Sequence, residues 1–208
     1  MPIRQLGMAG CLFALLGSGC VSVNAYVEDG HDKTDYRELK PRDPPTPVQM
    51  VCEYTRNGEP EPDVDSTICR EVARVLQQTQ VLLPAETDAA ATLKVTVDDR
   101  SDLARDRSEG IMTGATQGKV GLTARDDFRF ALSLLNADGA PPQSGLYDHA
   151  MITVAGDAPV PGYGRPRSAG DAFAVIVQQS VLEFLHDIQA TAGMDGPVMF
   201  VPDTPTPP

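Results

Sequence analysis

The sequence predicts an α+β fold: a two-layer sandwich whose mostly antiparallel four-stranded sheet carries two helices on one face. Three observations predict it. Four segments alternate apolar and polar side chains with period two, as strands with one covered face do. Two others repeat apolar residues at helical spacing. Their order along the chain is β-α-β-β-β-α, and a half-wet sheet needs helices over its other face.

Val48, Met50, Cys52 and Tyr54 share one face of the first strand. Asn57 to Pro62 is a turn, and Asp63, Asp65 and Ser66 offer N-cap oxygens and negative charge to a helix start. Ile68, Val72, Val75 and Leu76 form that helix's apolar stripe, with Cys69 at its edge. Leu93, Val95 and Val97 alternate with Thr92, Lys94, Thr96 and Asp98 in a second strand. If it runs parallel to the first, the crossover between them is right-handed. Phe128, Phe130, Leu132 and Leu134 alternate with Arg129, Ala131 and Ser133 in a third, followed by an Asp138-Gly139 turn. Ala150, Ile152 and Val154 mark the buried face of a fourth, which puts His149 and Met151 on its open face. Phe173, Ile176, Val177, Val181, Phe184, Leu185 and Ile188 mark a long helix starting near Ser168.

Residues 1–19 have the layout of an export signal: Arg4, an apolar run from Gly7 to Leu16, then Gly17-Ser18-Gly19. The run is about half of the ~20 residues a membrane span needs. With Cys20 behind it, the segment resembles the lipobox of bacterial lipoproteins, although Gly17 stands where that motif most often has Leu. The resemblance implies cleavage before Cys20 and acylation of its sulfur and new amino group. Cys11 would leave with the signal. Val21 follows, rather than Asp, and the sorting rule of enteric bacteria then implies the outer membrane, with the domain on the periplasmic side or exposed at the cell surface. A rival site exists: Val23-Asn24-Ala25 suits ordinary signal cleavage, which would release a chain starting at Tyr26.

Residues 20–47 read as a lipidated N-terminus and a tether, because they are polar and end in Pro41-Arg42-Asp43-Pro44-Pro45-Thr46-Pro47. Such proline density favours a stiff, extended spacer. Residues 48–192 are the α/β domain and 193–208 a proline-rich tail. The net charge is -12, from 17 basic and 29 acidic side chains, and cleavage before Cys20 removes only Arg4. That balance argues against nucleic acid, which needs clustered Lys and Arg, and against a basic patch on anionic lipid. With no Trp and 5% aromatics, stacking platforms for sugars or bases are scarce.

Once Cys11 is cleaved away and Cys20 acylated, Cys52 and Cys69 are the remaining thiols. Cys52 shares its strand face with Val48, Met50 and Tyr54, and Cys69 lies with Val72, Ala73 and Leu76 at i, i+3, i+4 and i+7. Each therefore points at the other's layer, and an oxidising compartment predicts a disulfide.

Chemistry-bearing motifs are few. Gly114-Ala-Thr-Gln-Gly118-Lys119 falls short of a P-loop, with three residues between its glycines and Val120 after the Lys. Its four-residue glycine spacing also suits packed membrane helices, but Gln117, Lys119 and the charged flanks oppose a span. Asp63-Val-Asp65 begins like a calcium loop, yet Thr67 and Ile68 follow, and helix capping accounts for the acids. His31 with Asp29, Asp32 and Asp35 reads as acidic tether rather than a metal site. No Gly-x-Ser-x-Gly elbow appears. No metal or cofactor is expected.

Two function classes follow. The whole chain loosely resembles small proteobacterial outer-membrane lipoproteins, among them the lipopolysaccharide-assembly lipoprotein and the auxiliary lipoproteins of transporters. The likeness lies in Leu16 to Cys20, the strand end Val95-Thr-Val-Asp98-Asp99-Arg100, the glycine-punctuated loop and Asn136-Ala-Asp138-Gly139. It implies a non-catalytic binding or assembly component of the envelope, held to the membrane by its lipid, with a protein or lipid partner. The long connection from Asp99 to Asp127 is the expected contact surface, through Ile111, Met112 and Leu122. The alternative is a hydrolase-like envelope enzyme with a site on the open sheet face, where polar groups such as His149, Arg129 and an acidic loop residue would converge.

Overall fold

The computed structural model describes residues 22–28, 34–101, 121–156 and 164–192. Its elements are β1 (Val23–Val27), a 3-10 turn (Tyr36–Glu38), β2 (Thr46–Arg56), β3 (Glu59–Pro60), α1 (Pro62–Thr79), β4 (Leu82–Pro84), β5 (Ala91–Ser101), β6 (Leu122–Asn136), β7 (Gln143–Ala155) and α2 (Ala169–Ala192). Among the described residues the fold is α+β with two helices, as expected, but the sheet is larger and mixed. Seven strands run in the order β1-β7-β6-β5-β2-β3, with β4 also on β2. β5, β6, β7 and β1 are antiparallel neighbours. β2 runs parallel to both β5 and β4. The expected four-stranded sheet is thus its centre, and the three short strands were not foreseen.

The period-two residues fill the helix-facing side. Val48, Leu93, Val95, Val97 and Phe130 are fully buried, and Phe128, Leu132 and Leu134 nearly so. They meet Ile68, Val72, Val75 and Leu76 of α1 and Ile176, Val177, Leu182 and Leu185 of α2 in one cluster. α1 starts one residue before the expected Asp63, at Pro62, a residue suited to the first helical position because its missing N–H would have no partner there. Asp65 does not cap the helix: its carboxylate accepts from the Tyr54 backbone N–H at 2.8 Å and so ties α1 to β2. Gln80 ends α1 in the left-handed conformation, φ 55°. Ser168 caps α2, its hydroxyl accepting from the Asp171 N–H at 3.1 Å.

The segment expected to be a tether differs in two stretches. Val23–Val27 forms the edge strand β1, paired with Met151–Ala155. Ala25 is 1% exposed. Residues 34–45 lie against the domain rather than standing off it. Leu39 is buried, and Lys40 exchanges two backbone hydrogen bonds with the Gln189 side chain, at 3.0 and 2.7 Å. Asp35, read as tether acid, caps the 3-10 turn in a reciprocal box with Glu38.

The disulfide joins Cys52 of β2 to Cys69 of α1, with Cα atoms 5.7 Å apart. The face reading of β7 is reversed. Tyr147 and Met151 belong to the helix-side core, and His149 lies edge-on to Phe130 with ring centres 6.3 Å apart. Tyr26, Ile152 and Val154 form a second, small cluster on the opposite face. The run Ala150-Met151-Ile152 is apolar on both faces because the strand is buried on both sides there, so alternation alone misassigns it.

Candidate functional site

The face of the sheet away from the helices is graded from one end to the other. At the β1 end stands the apolar trio Tyr26, Ile152 and Val154. Next comes a charged belt. Arg125 pairs with Glu28 at 2.9 Å and with Asp127 at 2.9 Å. Arg129 binds the cross-strand Asp148 through two nitrogens, at 2.8 and 3.1 Å. Arg100 pairs with Asp98 at 2.8 Å. The belt borders a shallow concavity of about 370 Å³, lined by Glu28, Arg100, Arg125, Asp127, Arg129 and Asp148 and also by Phe128, His149 and Ala150. Beyond it lies a field of small and hydroxyl side chains crossed by an ion pair: Thr96 beside Ala131, Ser133 facing Ser144 with their hydroxyls 2.9 Å apart, and Lys94 bound to Glu53 at 3.0 Å. Leu146, Leu135 and Val51 project from this field; Leu146 is 65% exposed.

Strand register builds the belt. Arg129 sits directly opposite Asp148 on β7, where opposite charges stabilise an antiparallel pair. Arg125 and Arg129 are held above the ordinary guanidinium value, Arg125 chiefly by its bond to Glu28 and Arg129 chiefly by its bond to Asp148. Solvent reaches these pairs, so each contributes little to stability. Their effect is to fix alternating charge on the open face.

A second polar group lies under the sheet's β1 end, on the helix side. The Tyr54 hydroxyl donates to Asp99 Oδ2 at 2.5 Å. Arg56 donates to the same oxygen at 2.9 Å and to the Tyr54 hydroxyl at 2.9 Å. Asp99 is 1% exposed. Burial pushes the Tyr54 hydroxyl well above its ordinary value of 10.0; Asp99 adds to this and Arg56 opposes it. Asn57 closes the corner by exchanging two hydrogen bonds with the Ser101 backbone. Every strong contact here is internal, so the group reads as a buried clasp between the ends of β2 and β5.

The residues singled out in the sequence are scattered over this frame. Cys20, Ile111, Met112 and His31 lie outside the described residues, as does the 102–120 segment that the glycine motif occupies. Leu122 is the first residue of β6, half-buried, and so belongs to the sheet rather than to the connection. His149 and Arg129 both border the concavity, but their side chains take different partners. The His149 ring packs on Phe130 among the helix-side residues, whereas Arg129 pairs with Asp148 on the open face. His186 is on the surface of α2, 3.8 Å from Asp187. The charged belt was missed, although the Arg125-Asp-Asp-Phe-Arg129 alternation opposite Asp148 carries its signal. Among the described residues, no group of three or more His, Cys, Asp or Glu side chains is placed to hold a metal ion. No helix among them is long and apolar enough to cross a membrane.

No protein-family model and no curated protein matches this chain. Among solved structures the chain is similar to the PelC L103M dodecamer from Paraburkholderia phytofirmans, at 13% identity and TM-score 0.37, covering 79% of this chain and 98% of that one. It is similar to a minor lipoprotein from Acinetobacter baumannii, at 9% identity and TM-score 0.36, covering 71% and 94%. A candidate lipoprotein from Caulobacter crescentus CB15 gives 16% identity and TM-score 0.29, covering 73% and 93%. At these values the likeness is distant.

Proposed function

We propose that this chain is a lipid-anchored, non-catalytic binding or assembly component of a Gram-negative envelope, held in the outer membrane by acylated Cys20 with its domain on the periplasmic side. The observation that carries the reading is the junction between signal and fold. Ser22 accepts a hydrogen bond from the Gly156 N–H at 3.0 Å, and Val23 opens β1 opposite Ala155. Cleavage after Ala25 would discard three of β1's five residues, one of them buried in the core. Cleavage before Cys20 keeps the strand whole, which supports the lipobox over the rival site.

The open sheet face supports the binding role. It offers fixed charges, a shallow concavity and exposed Leu146, Leu135 and Val51 on a rigid sheet. The hydrolase reading draws less support from its nominated pair, since Arg129 is engaged by Asp148 and the His149 ring packs on Phe130. Ile111 and Met112 join the proposed contact surface on sequence grounds alone.

Metabolic labelling with a fatty-acid analogue tests the anchor: the native chain should take up label and Cys20→Ser should not. Equal labelling of the two would end the lipoprotein reading. For the partner, a photo-cross-linking residue at Leu146 should yield a discrete adduct in intact envelopes, and replacement of Ile111 and Met112 by Ser should reduce it. If neither position 146 nor 135 yields an adduct, the open face is not a binding surface.

A further inference from the structure

The structure bears on how the domain stands on its membrane. We propose that the β1 end of the sheet lies against the lipid surface while the turn at Asn136–Gly139 stands away from it. This orientation rests on acylation of Cys20. Only Val21 separates that residue from Ser22, whose carbonyl is fixed by the Gly156 N–H at 3.0 Å. Two Cα steps span at most about 7 Å. The lipid's attachment point is therefore within about 7 Å of the chain at Ser22, roughly one headgroup layer's thickness. A free tether over residues 21 to 47 would instead have allowed a reach of up to about 90 Å in any direction.

What lies at this end follows from the register. β7 ends there at Ala155, between the start of β1 at Val23 and the start of β6 at Leu122. β5 reaches it with Ser101, opposite Asp126. Val23 is 57% exposed, an apolar side chain on the anchor's own strand with no place in the core. The net charge of -12 opposes laying the rest of the surface on an anionic leaflet. Contact thus stays at the end that the anchor draws down. β6 has 15 residues, so its far end stands up to about 50 Å further out. Leu146, nine residues before Ala155, is carried up to about 30 Å from the anchored end, clear of the headgroups.

The chain has no Trp, so single introduced tryptophans report without background. Val23→Trp and Leu146→Trp would be made in the acylated protein and placed in phosphatidylethanolamine–phosphatidylcholine vesicles with brominated acyl chains. Fluorescence at position 23 should be quenched several-fold more than at position 146. Should Val23→Trp not fold, Ser22→Trp, also at an exposed position, replaces it. Equal quenching at the two ends, or stronger quenching at 146, overturns the orientation. Flotation and intact mass are read on the same samples. A chain that is not acylated refutes the anchor itself; one that is acylated and floats but lacks the quenching difference refutes only the orientation.

Discussion

Tyr54 and Asp99 show how a charge is kept near a core. The carboxylate is almost wholly covered, and it is tolerated because Tyr54 and Arg56 both donate to one of its oxygens. Asp99→Ala leaves both donors without that acceptor and should cost about 2–3 kcal/mol, seen as a lower midpoint in urea denaturation. Gly145 has a different reason to be what it is. A Cβ there would collide with the ring and hydroxyl of Tyr147, which lies over the glycine and donates to Asp187 at 2.7 Å. Gly145→Ala should destabilise by about 1–3 kcal/mol. Burial also raises the Tyr147 hydroxyl above its ordinary value of 10.0, as with Tyr54, and the bond to Asp187 adds to this. The sign follows: the folded state holds these protons more tightly than the unfolded chain. Their stabilisation is complete below pH about 10 and is lost as pH rises above it. Alkaline denaturation of Tyr147→Phe should fall off less steeply above pH 10 than that of the parent; an unchanged slope would show that Tyr147 ionisation is not what destabilises the folded state.

At the scale of elements, the Cys52–Cys69 bond and β1 each tie a neighbouring piece to the central sheet. The disulfide closes a short loop between β2 and α1, with a sequence separation of 17. It should contribute roughly 3 kcal/mol through the unfolded state. Thiol titration of the denatured, unreduced mature chain should find no reactive cysteine, and Cys52→Ser with Cys69→Ser should lower the melting midpoint. The partners were legible because each sat on an apolar stripe whose direction was known. The four central strands were legible for the same reason: Leu93-Lys-Val95-Thr-Val97 and Phe128-Arg-Phe130-Ala-Leu132 cover one face and wet the other. Three strands were hidden. β4 is three residues long and ends in Pro84, and β3 is a two-residue extension. β1 has only five residues, embedded in a polar stretch that composition marks as a tether. His149 is misassigned by alternation because Ala150, Met151 and Ile152 are all buried, so β7 is covered on both faces there. The charged belt depends on β6–β7 register, which alternation alone does not supply.

Taken whole, the molecule is a sheet with one face closed by helices, one open face bearing a charged belt, and its first strand beginning at Val23, three residues after Cys20, where the proposed lipid attaches. β1 is an edge of the fold and, under the proposed anchoring, would also be the link to the membrane. A chain starting at Tyr26 would lack three of β1's five residues and the Ser22–Gly156 bond, and should be markedly less stable than one starting at Ser22. Comparing the two melting midpoints checks this directly. The most direct test of the account is mass spectrometry of the N-terminal peptide of the native protein purified from envelopes. The peptide should begin at Cys20 and carry the added mass of a diacylglyceryl group on sulfur, with or without an N-acyl chain. An unmodified peptide beginning at Tyr26 would contradict it.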